Sequence, residues 1–154
     1  MIIDCKGSIF DSGAQALVNP VNCFGVMGAG LALEFRKRFP DYYDSYIQDC
    51  NLGEVAIGHV SVYESIYWPC AIISFPTKTR WEYKSSITYI LYGLRDLSLA
   101  VSEFKFGSIA IPALGCGLGG LKWENVRPLI VKEFEALPKV SVLLYGPGEP
   151  SGGK

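Results

Sequence analysis

Residues 18–35 read VNPVNCFGVMGAGLALEF. An apolar segment passes Asn19, Pro20 and Asn22, crosses three glycines, and enters a run of helix formers. Leu31, Phe35 and Phe39 recur every four residues, with Glu34, Arg36, Lys37 and Arg38 on the other faces, which is the pattern of an amphipathic helix. Gly25, Gly28 and Gly30 lack a Cβ, so the backbone between strand and helix can turn sharply and let another group approach. A glycine loop that feeds a helix N-terminus offers unpaired N–H groups and the positive end of a helix dipole. That combination suits an anion, phosphate above all.

The same strand–loop–helix alternation extends in both directions. Apolar runs predict strands over 2–5, 16–18, 59–63, 70–74, 108–111 and 140–145. Several are continuously apolar, as strands buried on both faces are. Helices are predicted over 30–39 and 42–50, along the stripe Ile87, Ile90, Leu91, Leu94, Leu97 and Val101, and along Val126, Leu129, Ile130, Phe134 and Leu137. Ser85 or Ser86 can cap the third helix, and Pro128 fits the fourth only in its first turn. The expected fold is a three-layer α/β/α domain around a central mixed, largely parallel sheet of about six strands. One domain is expected over residues 1–148, with 149–154 as a flexible tail.

The chain has 154 residues, a formal net charge of −1 and 49% hydrophobic residues. It has enough apolar content for a full core and too little positive charge for bulk attraction to nucleic acid. Local basic clusters remain, at Arg36–Arg38 and at Lys78, Arg80 and Lys84. Five scattered cysteines without C-x-x-C spacing read as reduced thiols of a cytoplasmic protein, and with one histidine, His59, they predict no metal site. No leader and no membrane-spanning run is expected.

Two further loops follow strands. Residues 111–123, IPALGCGLGGLKW, match G-x-G-x-x-G at Gly115, Gly117 and Gly120. The acidic residue a dinucleotide fingerprint needs at the end of a second strand is missing, since Glu133 and Glu135 fall within a helix, so the loop is expected to cradle phosphate alone. Two glycine loops suggest two walls around one diphosphate, with Asn19 and Asn22 offering amides to ribose hydroxyls. Residues 75–86, FPTKTRWEYKSS, place Lys78 just beyond a strand, where it can serve as phosphate partner, nucleophile or acid/base. Trp81 beside it can stack on a base or cover the core.

These three stretches, with the family's order and spacing, resemble the macrodomain family, the ADP-ribose-binding module, over 2–145. Thr77-Lys78 resembles the branch that holds terminal ADP-ribose-protein glycohydrolase and the DarG antitoxin. The resemblance implies Asn22 at the distal ribose, and Gly28, Gly30 and Leu31 along the distal ribose and diphosphate. It implies the N–H groups of Gly115, Cys116, Gly117, Leu118 and Gly119 around the diphosphate, and Ser8 and Ile9 by the adenine. Lys78 would be catalytic at the distal anomeric carbon, with Asn22 assisting, and Asn19, Thr77 and Pro112 complete the expected binding set. Two positions depart from the wider family: Ser8 replaces an aspartate by the adenine, and Gly119 replaces the aspartate that partners the lysine in the protein-directed enzyme. The second favours a DNA-linked substrate.

The implied function is an ADP-ribosyl glycohydrolase, without cofactor, that frees a modified nucleobase, thymidine in DNA. Alternatives are a reader without turnover, an ADP-ribose 1″-phosphate phosphatase and a glutamate-directed protein de-ADP-ribosylase. Expected partners are ADP-ribose or an ADP-ribosylated substrate. A DNA substrate would be single-stranded, because the base must be exposed. A monomer acting away from membranes, in a toxin–antitoxin, phage anti-defence or metabolite-processing setting, fits this reading.

Overall fold

The computed structural model describes residues 1–148; the expected tail at 149–154 lies outside them. Among these residues six strands form one sheet: β1 (Ile2–Cys5), β2 (Ala16–Asn22), β3 (Ser61–Glu64), β4 (Ala71–Lys78), β5 (Ser108–Pro112) and β6 (Ser141–Tyr145). Their order is β1-β6-β5-β2-β4-β3. Every pairing is parallel except β3 with β4, so the sheet is mixed and largely parallel as expected.

The helices α1 (Gly30–Arg38), α2 (Pro40–Asn51), α3 (Ile87–Phe104) and α4 (Trp123–Phe134) divide between the faces. Strand parity sets the division. Ala16, Val18, Ile73, Phe75, Ile109, Ile111, Val142 and Leu144 pack with Ile90, Leu94, Leu97 and Val101 of α3 and Val126, Ile130 and Phe134 of α4. Leu17, Val21, Ile72 and Ala110 face Phe35 of α1 and Tyr42 and Tyr46 of α2. The interior strands β2 and β4 are buried on both sides, which explains their continuous apolar runs.

Several boundaries differ from the sequence reading. β2 and β4 run on to Asn22 and Lys78, because buried polar residues inside them find partners in the next layer. Tyr42 Oη accepts from Asn19 Nδ2 (3.0 Å) and lies 2.6 Å from Ser74 Oγ, so both strands carry a polar residue at no cost in unmade bonds to Nδ2 or the hydroxyls. His59 is exposed and precedes β3 rather than starting it. Ser86, not Ser85, caps α3, its Oγ accepting from Tyr89 N–H at 3.2 Å. No helix of the described residues is long and apolar enough to cross a membrane.

Candidate active site

The five parallel strands end at one edge of the sheet, where loops gather and ligands bind in folds of this class. A cleft of about 1080 Å³ opens there, room enough for a dinucleotide-sized ligand. Its walls come from residues 7–10 after β1, the loop from β2 to α1, the end of β4, the loop after β5 and the segment after Tyr145.

Asn22 organises the first loop. Its Oδ1 accepts from the N–H groups of Phe24 (2.9 Å), Gly25 (3.1 Å) and Val26 (3.3 Å), and its Nδ2 donates to Val26 O (2.7 Å). Tyr46 Oη donates to Asn22 O at 2.7 Å from beneath. Past this turn, Gly28, Ala29, Gly30, Leu31 and Ala32 line the cleft. Ala29 supplies no side-chain cap to α1, and Gly30, Leu31 and Ala32 donate to no group among the described residues. A helix start with open N–H groups thus faces the cleft. Gly30 has φ +58°, which only glycine adopts without strain.

The loop after β5 gives the opposite wall. The N–H groups of Gly115, Gly117 and Leu118 are unpaired among the described residues, while Cys116 N–H donates to Ala113 O (3.1 Å) and Gly119 N–H to Cys116 O (3.3 Å). Gly115 (φ +73°) is packed tightly: a Cβ there would lie 2.7 Å from Leu121 Cδ1. The loop is therefore rigid and presents backbone rather than side chain to a ligand.

Lys78 ends β4. The pairing of β2 with β4 slips between Val21 and Asn22, so that Val21 faces Pro76 and Asn22 faces Lys78. This bulge places the lysine beside the first loop, at the rim of the cleft. Its Nζ donates to Trp81 O at 2.9 Å. Partial burial, and then the nearby Lys84 ammonium, hold its pKa below the ordinary lysine range. Burial pushes the neighbouring Cys116 thiol up, so the sulfur stays protonated and is a poor nucleophile. Lys78 thus brings an amine of lowered pKa to the rim of the cleft.

Residues 18–130 match the Macro domain family. The chain belongs to the macro domain family.

This macrodomain is 43% identical over 155 residues to the DNA ADP-ribosyl glycohydrolase of Mycobacterium tuberculosis, covering 99% of the chain but 43% of that protein. It superposes on the macrodomain of Mycobacterium tuberculosis DarG with a TM-score of 0.94, at 42% identity, over 96% of this chain and 99% of that one. Thermosipho africanus DarTG, solved in complex with ADP-ribose, gives a TM-score of 0.87 at 34% identity, over 94% of this chain and 42% of that one.

The cleft of the macrodomain brings together Ser8, Ile9, Asn22, Gly28, Gly30, Leu31, Thr77, Lys78, Pro112 and residues 115–119. Asn19 does not reach it. Parity turns its side chain into the layer under α1 and α2, where it is fully buried against Tyr42, so the expectation of a ribose contact is corrected. Asn22 lies on the wall, with its side-chain oxygen and one N–H engaged by the loop. The N–H of Cys116 is likewise taken by Ala113 O in the preceding turn, and that of Gly119 by Cys116 O in the 3-10 turn over Gly117–Gly119. Ser8 Oγ caps the short turn at Ile9–Asp11 by accepting from Phe10 N–H (3.2 Å), which leaves its hydroxyl proton to donate.

Sequence reasoning missed Phe10, Glu34, Arg38 and Tyr145 on the wall. The carboxyl-end rule signals Tyr145, because the chain leaves β6 through Gly146 and Pro147. Arg38 had no local signal: it reaches the cleft because its guanidinium lies 4.2 Å from the Phe10 ring centroid.

Proposed function

We propose that this macrodomain is an ADP-ribosyl glycohydrolase that removes ADP-ribose from a modified base of single-stranded DNA, thymidine foremost. The observation that carries the reading is Lys78, an amine of lowered pKa at the rim of a cleft whose two walls present open backbone N–H groups. The similarity over nearly the whole chain to proteins named DNA ADP-ribosyl glycohydrolase supports it.

The diphosphate lies between the α1 start and the loop after β5, where N–H groups meet phosphate oxygens without a counter-charge from a side chain. That position brings the distal ribose to Lys78. The neutral amine attacks the anomeric carbon, the bond from that carbon to the base nitrogen breaks, and the base leaves with the bonding electron pair and a proton. Water then displaces the amine, so that the net reaction consumes one water and yields ADP-ribose and the unmodified base, still in its strand. Gly119 leaves no carboxylate next to the lysine, unlike the protein-directed enzyme that the sequence resembles.

Incubation with a single-stranded oligonucleotide carrying ADP-ribosyl-thymidine is the test, set beside glutamate-linked ADP-ribose and ADP-ribose 1″-phosphate. Release of ADP-ribose from the oligonucleotide, well ahead of the other two, is expected. Turnover of the 1″-phosphate or the glutamate ester alone contradicts the reading, and so does binding without turnover of any.

A further inference from the structure

Next to Lys78 stands a cluster that the proposed reaction does not use. The Arg80 guanidinium lies 4.1 Å from the ring centroid of Phe24 and 6.0 Å from that of Tyr83, and is ion-paired with the Glu82 carboxylate. Both rings remain about half exposed, at 53% and 54%. Trp81, 54% exposed, joins them to the cleft mouth. Lys84 is exposed too, its side chain lying over Gly120 and its charge felt by Lys78.

Single exposed aromatics are ordinary surface. Two beside one guanidinium, with a third on the lining of the adjoining cleft, are not. They are also held in place. Cys23 N–H donates to Thr79 O (3.0 Å), Tyr83 N–H to Arg80 O (3.1 Å) and Ser85 N–H to Gly119 O (3.0 Å), which ties the segment to both glycine loops. Arg80 and Lys84 against Glu82 leave the rim positive on a chain whose formal net charge is −1.

We propose that Phe24, Arg80 and Tyr83, continued by Trp81, form a stacking platform for the nucleotides that flank the modified base of a single strand. This rests on the reading that the substrate is ADP-ribosylated DNA. Every base has a π-face, so such a platform is tolerant of sequence, and the linking phosphates need cations within reach, which Arg80 and Lys84 supply. Bulk charge is not required, because a few local contacts set the register.

Two measurements with the Phe24→Ala/Tyr83→Ala variant test this. Anisotropy of a labelled, unmodified oligothymidylate of about eight nucleotides reports the platform alone. Its affinity is expected to fall about tenfold in the variant, as the loss of base stacking implies. Turnover then separates flank from cleft: kcat/KM on the ADP-ribosyl oligonucleotide should fall by a similar factor, with kcat/KM on the ADP-ribosyl-thymidine nucleoside unchanged. Unaltered oligothymidylate binding overturns the proposal. An equal loss on both substrates also does, since it places the rings in the cleft. Should the wild-type protein hydrolyse neither substrate, the glycohydrolase reading fails while the oligothymidylate titration still decides the platform. Tyr83→Ala alone, at an exposed ring, keeps the test open if the double variant unfolds the loop.

Discussion

Lys78 works through its surroundings. An ammonium has no lone pair, so attack at carbon needs the neutral amine, and a lowered pKa makes that form available at lower pH. Burial is the larger cause and the Lys84 charge the smaller. Removing Lys84 removes a repulsion, which raises the Lys78 pKa and moves the ascending limb of the pH–kcat profile to higher pH; a Lys84→Ala profile that coincides with wild type contradicts the coupling. Asn22 carries a different burden. In Asn22→Ala three loop N–H groups lose their common acceptor, so a stability loss of about 2 kcal/mol in urea unfolding is expected. ADP-ribose affinity should weaken more than tenfold by calorimetry, because the open helix start is no longer held to the cleft. Asn19 and Asn22 look alike in the sequence. Strand parity and a one-residue slip against β4 separate them, and neither can be read locally.

At the scale of elements, the glycines were legible as loops, but their reasons differ. Gly30 and Gly117 are needed for φ, with open space where a Cβ would be, whereas Gly93 lies inside α3 and is a matter of space alone. A Cβ on Gly93 would come within 2.3 Å of the Phe75 ring, which is fully buried in β4 and cannot yield. Helix propensity favours alanine there by about 1 kcal/mol, yet overpacking of a closed core outweighs it. Gly93→Ala should therefore destabilise the protein by about 2 kcal/mol in urea unfolding; a gain in stability would show that α3 can lift off β4. The alternation of apolar strand runs and helical stripes placed every main element, since each pattern reports burial directly. Strand ends were less legible: Asn19 reads as loop until Tyr42, two elements away, provides its partner, and the strand expected to stop at Ser74 runs on to Lys78.

For the molecule as a whole, the parallel sheet brings loops distant in sequence to one edge, and the cleft exists only there. The three loops could be read as ligand loops because each follows a strand, while Arg38 and Phe10 met only through the packing of α1 on the turn after β1. A cleft with open N–H groups on both walls should bind ADP-ribose in the native state alone. At a hundred times its Kd the ligand adds about 2.7 kcal/mol, a rise in Tm of roughly 5–10 °C for a chain of this size. Scanning calorimetry with ADP-ribose, and with AMP as a control lacking the distal ribose, checks it; equal shifts with both ligands would mean that the distal half of the cleft contributes nothing.

The central claim concerns one amine, and Lys78→Ala tests it most directly when binding and turnover are measured on the same preparation. Calorimetry with ADP-ribose and release from an ADP-ribosyl-thymidine oligonucleotide are the two readouts. The account predicts an affinity within a few-fold of wild type, because backbone N–H groups hold the diphosphate, and release reduced by at least a thousandfold, on the order expected for loss of a nucleophile. A variant that still releases ADP-ribose at the wild-type rate would contradict it.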